Sequence, residues 1–155
     1  MRHFFLALFL LASSSNPPPD LLDELRKLQP LTGQPLWDGR GEYYYALDFW
    51  ASWCSPCQQS IPHYNKLQSA YKDKVKFIAI SADDTKDEAL AFAKKIKFNF
   101  PVLWDENREI TKKFQIQEIP TLIIMDKRLK EIKRYRGYTE KKAIELENFF
   151  SEKFK

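Results

Sequence analysis

Cys54 and Cys57 are the only cysteines in a chain of 155 residues, and Ser55-Pro56 stands between them. A thiolate is the nucleophile of thiol–disulfide exchange, and a second thiol one helical turn away can attack the mixed disulfide that forms. Residues 43–50 are a β-prone run, and the segment after Cys54 suits a helix, so the pair falls where a strand ends and a helix begins. The unpaired amides and dipole of a helix N-terminus favour a thiolate at Cys54 and lower its pKa below about 8.5. Pro56 fits the first turn, whose amides lack helical partners anyway. This layout predicts one exposed nucleophile, Cys54, and one shielded resolving thiol, Cys57.

Other uses of the pair fit less well. A zinc site needs a second pair of ligands, and only His3 and His63 remain. A c-type haem attachment needs His directly after the second cysteine, where this chain has Gln58. A static disulfide across so short a loop contributes little stabilisation. Two soft thiolates could also hold Cu(I), which leaves a copper carrier as an alternative of a different class. No metal site and no cofactor are expected.

The elements that must position the pair follow from periodicity and stop signals. Leu21, Leu22, Leu25 and Leu28 predict a short amphipathic helix closed by Pro30, and residues 32–41 are turn-rich. A helix is expected from Cys54 to about Tyr71, interrupted at Pro62, followed by a buried strand at 75–81. Thr85-Lys86-Asp87-Glu88 reads as a capping box opening a helix that buries Ala89, Phe92, Ala93 and Ile96. A short strand at 102–104 and a helix capped by Asp105, carrying Ile110 and Phe114, come next. Strands at 121–125 and 130–135 joined by a turn precede a last helix from Thr139, burying Ala143, Leu146, Phe149 and Phe150. The order predicts an α/β fold with a central mixed sheet flanked by helices.

Composition sets outer limits. The chain is 44% hydrophobic and 15% aromatic with 4 Gly and 9 Pro, which excludes disordered, collagen-like and disulfide-stapled classes. Its 25 basic and 21 acidic residues give +4, mixed in sign along the chain, so no nucleic-acid partner is expected. The densest basic stretch, around Lys127, Arg128, Lys130, Lys133, Arg134 and Arg136, reads as a solvated hairpin, with an acidic partner surface and anionic lipid as the alternatives. His63 reads as a surface residue, and Asp83, Asp84, Asp87 and Glu88 as a helix cap rather than a metal site.

Arg2, the nine apolar residues 4–12 and the serines that follow have the layout of a secretory signal, with cleavage after Ser14 or Ser15. A membrane span needs about 20 apolar residues, so a tether would require a poorly cut signal. The expected divisions are a signal peptide at 1–15, a Pro-rich linker and short helix at 16–30, and one domain at 31–155.

The run Asp48-Phe49-Trp50-Ala51-Ser52-Trp53-Cys54-Ser55-Pro56-Cys57 resembles the active-site segment of the thioredoxin superfamily. Pro62 matches the proline of the active-site helix, and Ile119-Pro120-Thr121 matches the loop whose cis-proline faces the cysteines. Leu31-Thr32-Gly33 and Asn99-Phe100-Pro101-Val102-Leu103-Trp104-Asp105 resemble the exported TlpA, ResA and CcmG branch, including its inserted segment.

The resemblance implies a thioredoxin-like fold and a thiol:disulfide oxidoreductase working outside the cytoplasm, in a bacterial periplasm, as a monomer. Cys54 and Cys57 would form the redox disulfide, Asp48 would handle the resolving proton, and Trp53, Ser55, Pro56, Ile119, Pro120 and Thr121 would contact substrate. Protein thiols and disulfides are the implied partners, apocytochrome c among them, with a membrane electron donor. Where many members of the branch carry Glu near the pair, this chain has Ser60, which weighs against a role dedicated to cytochrome maturation. The expected direction is reduction; an exported oxidant on the same scaffold is the alternative.

Overall fold

The computed structural model describes residues 20–36 and 42–155. The segments read as signal peptide and proline linker, and the end of the turn-rich stretch, lie outside the described residues. In chain order the elements are α1 (Leu21–Leu25), β1 (Gln29–Pro30), β2 (Tyr44–Trp50), α2 (Ser55–Ala70), β3 (Val75–Ser81), α3 (Lys86–Ile96), β4 (Val102–Trp104), α4 (Glu109–Lys113), β5 (Thr121–Met125), β6 (Glu131–Arg136) and α5 (Glu140–Lys153).

The six strands form one mixed sheet in the order β1-β4-β3-β2-β5-β6. β2 lies parallel to β3 and antiparallel to β5, so its seven residues are covered on both edges. Period-two alternation then sorts its side chains. Ala46 and Trp50 pack on one face with Cys57, Ile61, Tyr64, Phe92 and Phe150, drawn from α2, α3 and α5. Tyr45, Leu47 and Phe49 pack on the other with Leu22 and Leu25 of α1 and Ile110 of α4. Asp48 therefore points into the first layer, toward the redox helix.

Several expectations are corrected. α2 runs through Pro62 without interruption, because one missing amide and one clash bend a helix more readily than they end it. Half of the capping box forms: Thr85 accepts from the Glu88 amide, while the Glu88 carboxylate accepts from the Thr85 hydroxyl instead of an amide. The N-cap position of α4 is Arg108 in the left-handed region, with no side-chain cap bond. Asp105 still serves that helix, since its carboxylate accepts from the amides of Ile110 and Thr111 across an intervening turn. β1 was not expected; its two residues pair with β4 at the sheet edge and place α1 against the second layer.

Candidate active site

β2 delivers its chain to a short loop, Ala51-Ser52-Trp53, at the C-terminal end of the central strand. Asp83 fixes this loop from below. Its fully buried carboxylate accepts the Ser52 amide at 3.0 and 3.1 Å, the Ser52 hydroxyl at 2.6 Å and the Ser81 hydroxyl at 2.7 Å. The sequence reading placed Asp83 in a helix cap. Instead it is a positioning residue for the segment that enters the cysteines, and Thr85 is the cap of α3. The signal available in sequence was only an acid two residues after a strand.

Cys54 is the N-cap of α2, and its Sγ accepts from the Cys57 amide at 3.3 Å. No acidic residue stands in the first turn of α2, so nothing cancels the positive end of the helix. These are the conditions that hold a sulfur as thiolate. Here the two sulfurs are joined in a disulfide, with a Cα–Cα separation of 5.3 Å. The expected contrast in exposure is correspondingly slight: Cys54 keeps 4% of its surface and Cys57 none. Around them Trp53 is 70% exposed, and Ser55 and Pro56 are exposed too.

The Ile119–Pro120 peptide bond is cis. Pro120 immediately precedes β5, whose first residue Thr121 pairs with Phe49 at the end of β2. That register brings the 119–121 segment to the same end of the sheet as the cysteines. Its backbone is held by two contacts: the Thr121 hydroxyl donates to the Glu118 carbonyl at 2.7 Å, and the Gly137 amide donates to the Pro120 carbonyl at 2.7 Å. Trp53 and Ile119 share an open groove of about 380 Å³ with Ala82, Arg108, Thr111 and Ile116. The cysteine loop and the 119–121 segment thus meet at one pole of the sheet.

Asp48 of β2 is fully buried, with neither carboxylate oxygen hydrogen-bonded among the described residues. Burial pushes its pKa up to about 8, because the charged form loses its water and gains no partner. It is no strand-edge acid facing water. Tyr64, also buried in this layer, is raised well above the usual tyrosine value by burial and then by the Asp48 charge. Ser60 is buried and donates to the Cys57 carbonyl at 3.1 Å, so it tightens the helix rather than replacing a carboxylate. The proximity of Tyr64 to Asp48 had no sequence signal, because it depends on how α2 packs on β2.

His63 is not a surface residue. Its ring lies 3.0 Å from the Tyr138 hydroxyl at Nδ1 and 3.1 Å from Glu147 at Nε2. Burial lowers its pKa, and the Glu147 charge opposes that in part. With Nδ1 hydrogen-bonded to Tyr138 and Nε2 facing Glu147, the one histidine among the described residues is held by α5 and the loop before it.

Comparison with known proteins agrees with this geometry. A thioredoxin-like family model matches residues 41–131, more than half of the chain. The thiol-disulfide oxidoreductase ResA of Bacillus thuringiensis subsp. konkukian is 36% identical over 108 residues, which are 69% of this chain and 61% of ResA. The match thus spans about three-fifths of that relative's length. Among solved structures, a Chlorobium tepidum protein assigned as thiol:disulfide interchange protein DsbE superposes with a TM-score of 0.71 at 26% identity, covering 75% of this chain and 83% of that one. StoA of Bacillus subtilis gives 0.60 at 26% identity, covering 70% and 82%. With its mixed sheet, its N-capping cysteine pair and the matched family model, the chain belongs to the thioredoxin-like family.

Proposed function

We propose that the chain is a thiol:disulfide oxidoreductase acting outside the cytoplasm, where it reduces protein disulfides. One observation carries this reading: a disulfide caps the N-terminus of α2 beside an open groove, at the end of a strand that carries a buried, proton-holding carboxyl. The ResA and DsbE names borne by similar proteins support the same chemistry.

In the reduced enzyme, the Cys54 thiolate attacks one sulfur of a substrate disulfide. That S–S bond breaks, the distal substrate sulfur leaves as thiolate, and a Cys54–substrate disulfide forms. Asp48 in its carboxylate form takes the Cys57 proton; the Cys57 thiolate then attacks Cys54 Sγ and releases the second substrate thiolate. Two electrons have moved to the substrate, and the Cys54–Cys57 disulfide remains. A carboxyl whose pKa burial has pushed up to about 8 can take a thiol proton and give it back. Trp53, Ser55 and Pro56 would form the exposed contact surface. Ile119, Pro120 and Thr121 would align an extended substrate strand in β-like pairing.

Pro56 between the cysteines and a carboxyl at Asp48 resemble reducing thioredoxins, whose potential is about −270 mV against about −120 mV for a strong exported oxidant. A reductant outside the cytoplasm needs electrons from a donor at the membrane, and the signal-like residues 1–15 support that location. Apocytochrome c is one substrate consistent with the ResA likeness. Equilibration of the Cys54–Cys57 couple with glutathione tests the direction. A potential below about −200 mV together with insulin reduction is expected, and a value well above it would assign the chain to disulfide formation instead. Stoichiometric Cu(I) binding without insulin reduction would contradict the enzyme reading altogether.

A further inference from the structure

The turn between β5 and β6 carries a cluster of cations. Residues 126–134, the turn and the adjoining part of β6, hold five basic side chains and two acidic ones, a net of +3. The two acids offset part of the charge and leave the turn basic. Asp126 accepts from the backbone amides of Arg128 and Lys130, and Glu131 is bidentate with Arg134. Lys127, Arg128, Lys130 and Lys133 are exposed, and none forms an ion pair among the described residues.

The position of this cluster matters as much as its charge. β5 starts beside Phe49 and ends beside Tyr45, so the turn after Met125 lies at the pole opposite the cysteines. The seven residues of β2 separate the two poles by about 20 Å. The described chain also begins at this pole: Asp20 and Leu21 line a shallow groove with Met125, Arg128 and Leu129. In the sequence, Asp20 stands eight residues after Ala12, the end of the apolar run 4–12, a reach of at most about 29 Å.

Lysines on an edge strand ordinarily prevent edge-to-edge pairing, and that accounts for Lys133. It does not account for Lys127, Arg128 and Lys130, which precede β6 and sit in the turn. We infer that this turn docks the protein on an anionic lipid surface, with the disulfide pole facing away from the bilayer. Charge complementarity selects an anionic lipid surface, and where the signal is left uncut, entry of the chain beside the turn keeps the apolar run 4–12 within reach of the same bilayer. An acidic protein is the competing occupant, and nothing at this pole favours it over lipid.

The test is co-sedimentation of the full chain with vesicles of phosphatidylcholine alone and of an equal mixture with phosphatidylglycerol. Any contribution of residues 4–12 is common to both vesicle types, so the difference between them reads the turn. Phosphatidylglycerol should strengthen binding, and high salt should erase the gain. The K127Q/R128Q/K130Q variant should lose about fivefold of that gain per charge removed. The K66Q/K94Q/K95Q variant removes three exposed cations from α2 and α3 and should keep it. Insulin reduction by either variant should be unchanged. Equal losses in the two variants, or no gain from phosphatidylglycerol, would overturn the proposal. So would capture of a polyglutamate peptide by the turn without any vesicle preference.

Discussion

Asp48 carries an unusual burden for one carboxyl: it is fully buried, bonded to nothing described, and titrates at about 8. Charging such a carboxyl costs stability, which fits the proton-carrying role proposed for it. Asp48→Asn should slow resolution of the mixed disulfide by about 100-fold, the lower range for a lost general base, and should abolish the rate increase as pH passes about 8. Stopped-flow release of substrate from a preformed Cys54 adduct reads both effects. Stability gives an independent check. The folded pKa lies above the unfolded value of about 3.8, so the folded state holds the extra proton between them. The contribution is present below about pH 4 and lost as pH rises toward about 8, with a slope of up to about 1.4 kcal/mol per unit. Denaturant titrations of Asp48→Asn should lack that slope, and the variant should be the more stable protein at pH 8.

Asp83 and the loop it holds show how one strand end is turned into an active-site entrance. β2 and β3 are parallel, so Ser52 after β2 and Asp83 after β3 arrive side by side. Asp83→Ala would strand the Ser52 amide and two hydroxyls, at a cost of about 2–3 kcal/mol, while Asp83→Asn can keep part of the set. Asp83→Ala is expected to raise KM for a protein disulfide by freeing Trp53, with little change in the alkylation rate of reduced Cys54. Steady-state insulin reduction and an iodoacetamide time course separate the two. The partner elements, α2 and the 119–121 segment, were legible in sequence because prolines and a strand-to-helix switch mark them. Asp83 was not, because its three bonds join β2 and β3, and spacing along one segment cannot show a contact 31 residues apart. β1 escaped for a related reason, since two residues carry no period. His63 was misread because Glu147 and Tyr138 reach it from α5 and the loop before it.

The sheet carries the cysteine pair at one pole and the basic β5–β6 turn at the other. Both layers are closed by apolar faces that alternation revealed in advance, so the mixed sheet and the order of its elements were readable from sequence. The aromatic knot at the C-terminus was readable only as a helix with buried positions. Phe150 meets Phe77 at 5.8 Å, Tyr71 at 5.3 Å and Phe154 at 5.0 Å, which ties α5 to α2 and β3. Phe150→Ala should cost about 3–5 kcal/mol in denaturant unfolding. It leaves the potential of the couple unchanged if the cysteine pole is a separate site. That the pair acts on other proteins' disulfides is tested most directly by Cys57→Ser expressed in the native host. Without a resolving thiol, Cys54 should accumulate covalent adducts with exported proteins, released by reductant and absent from a Cys54→Ser/Cys57→Ser chain. A Cys57→Ser chain that gathers no disulfide-linked protein on Cys54 would contradict the oxidoreductase reading.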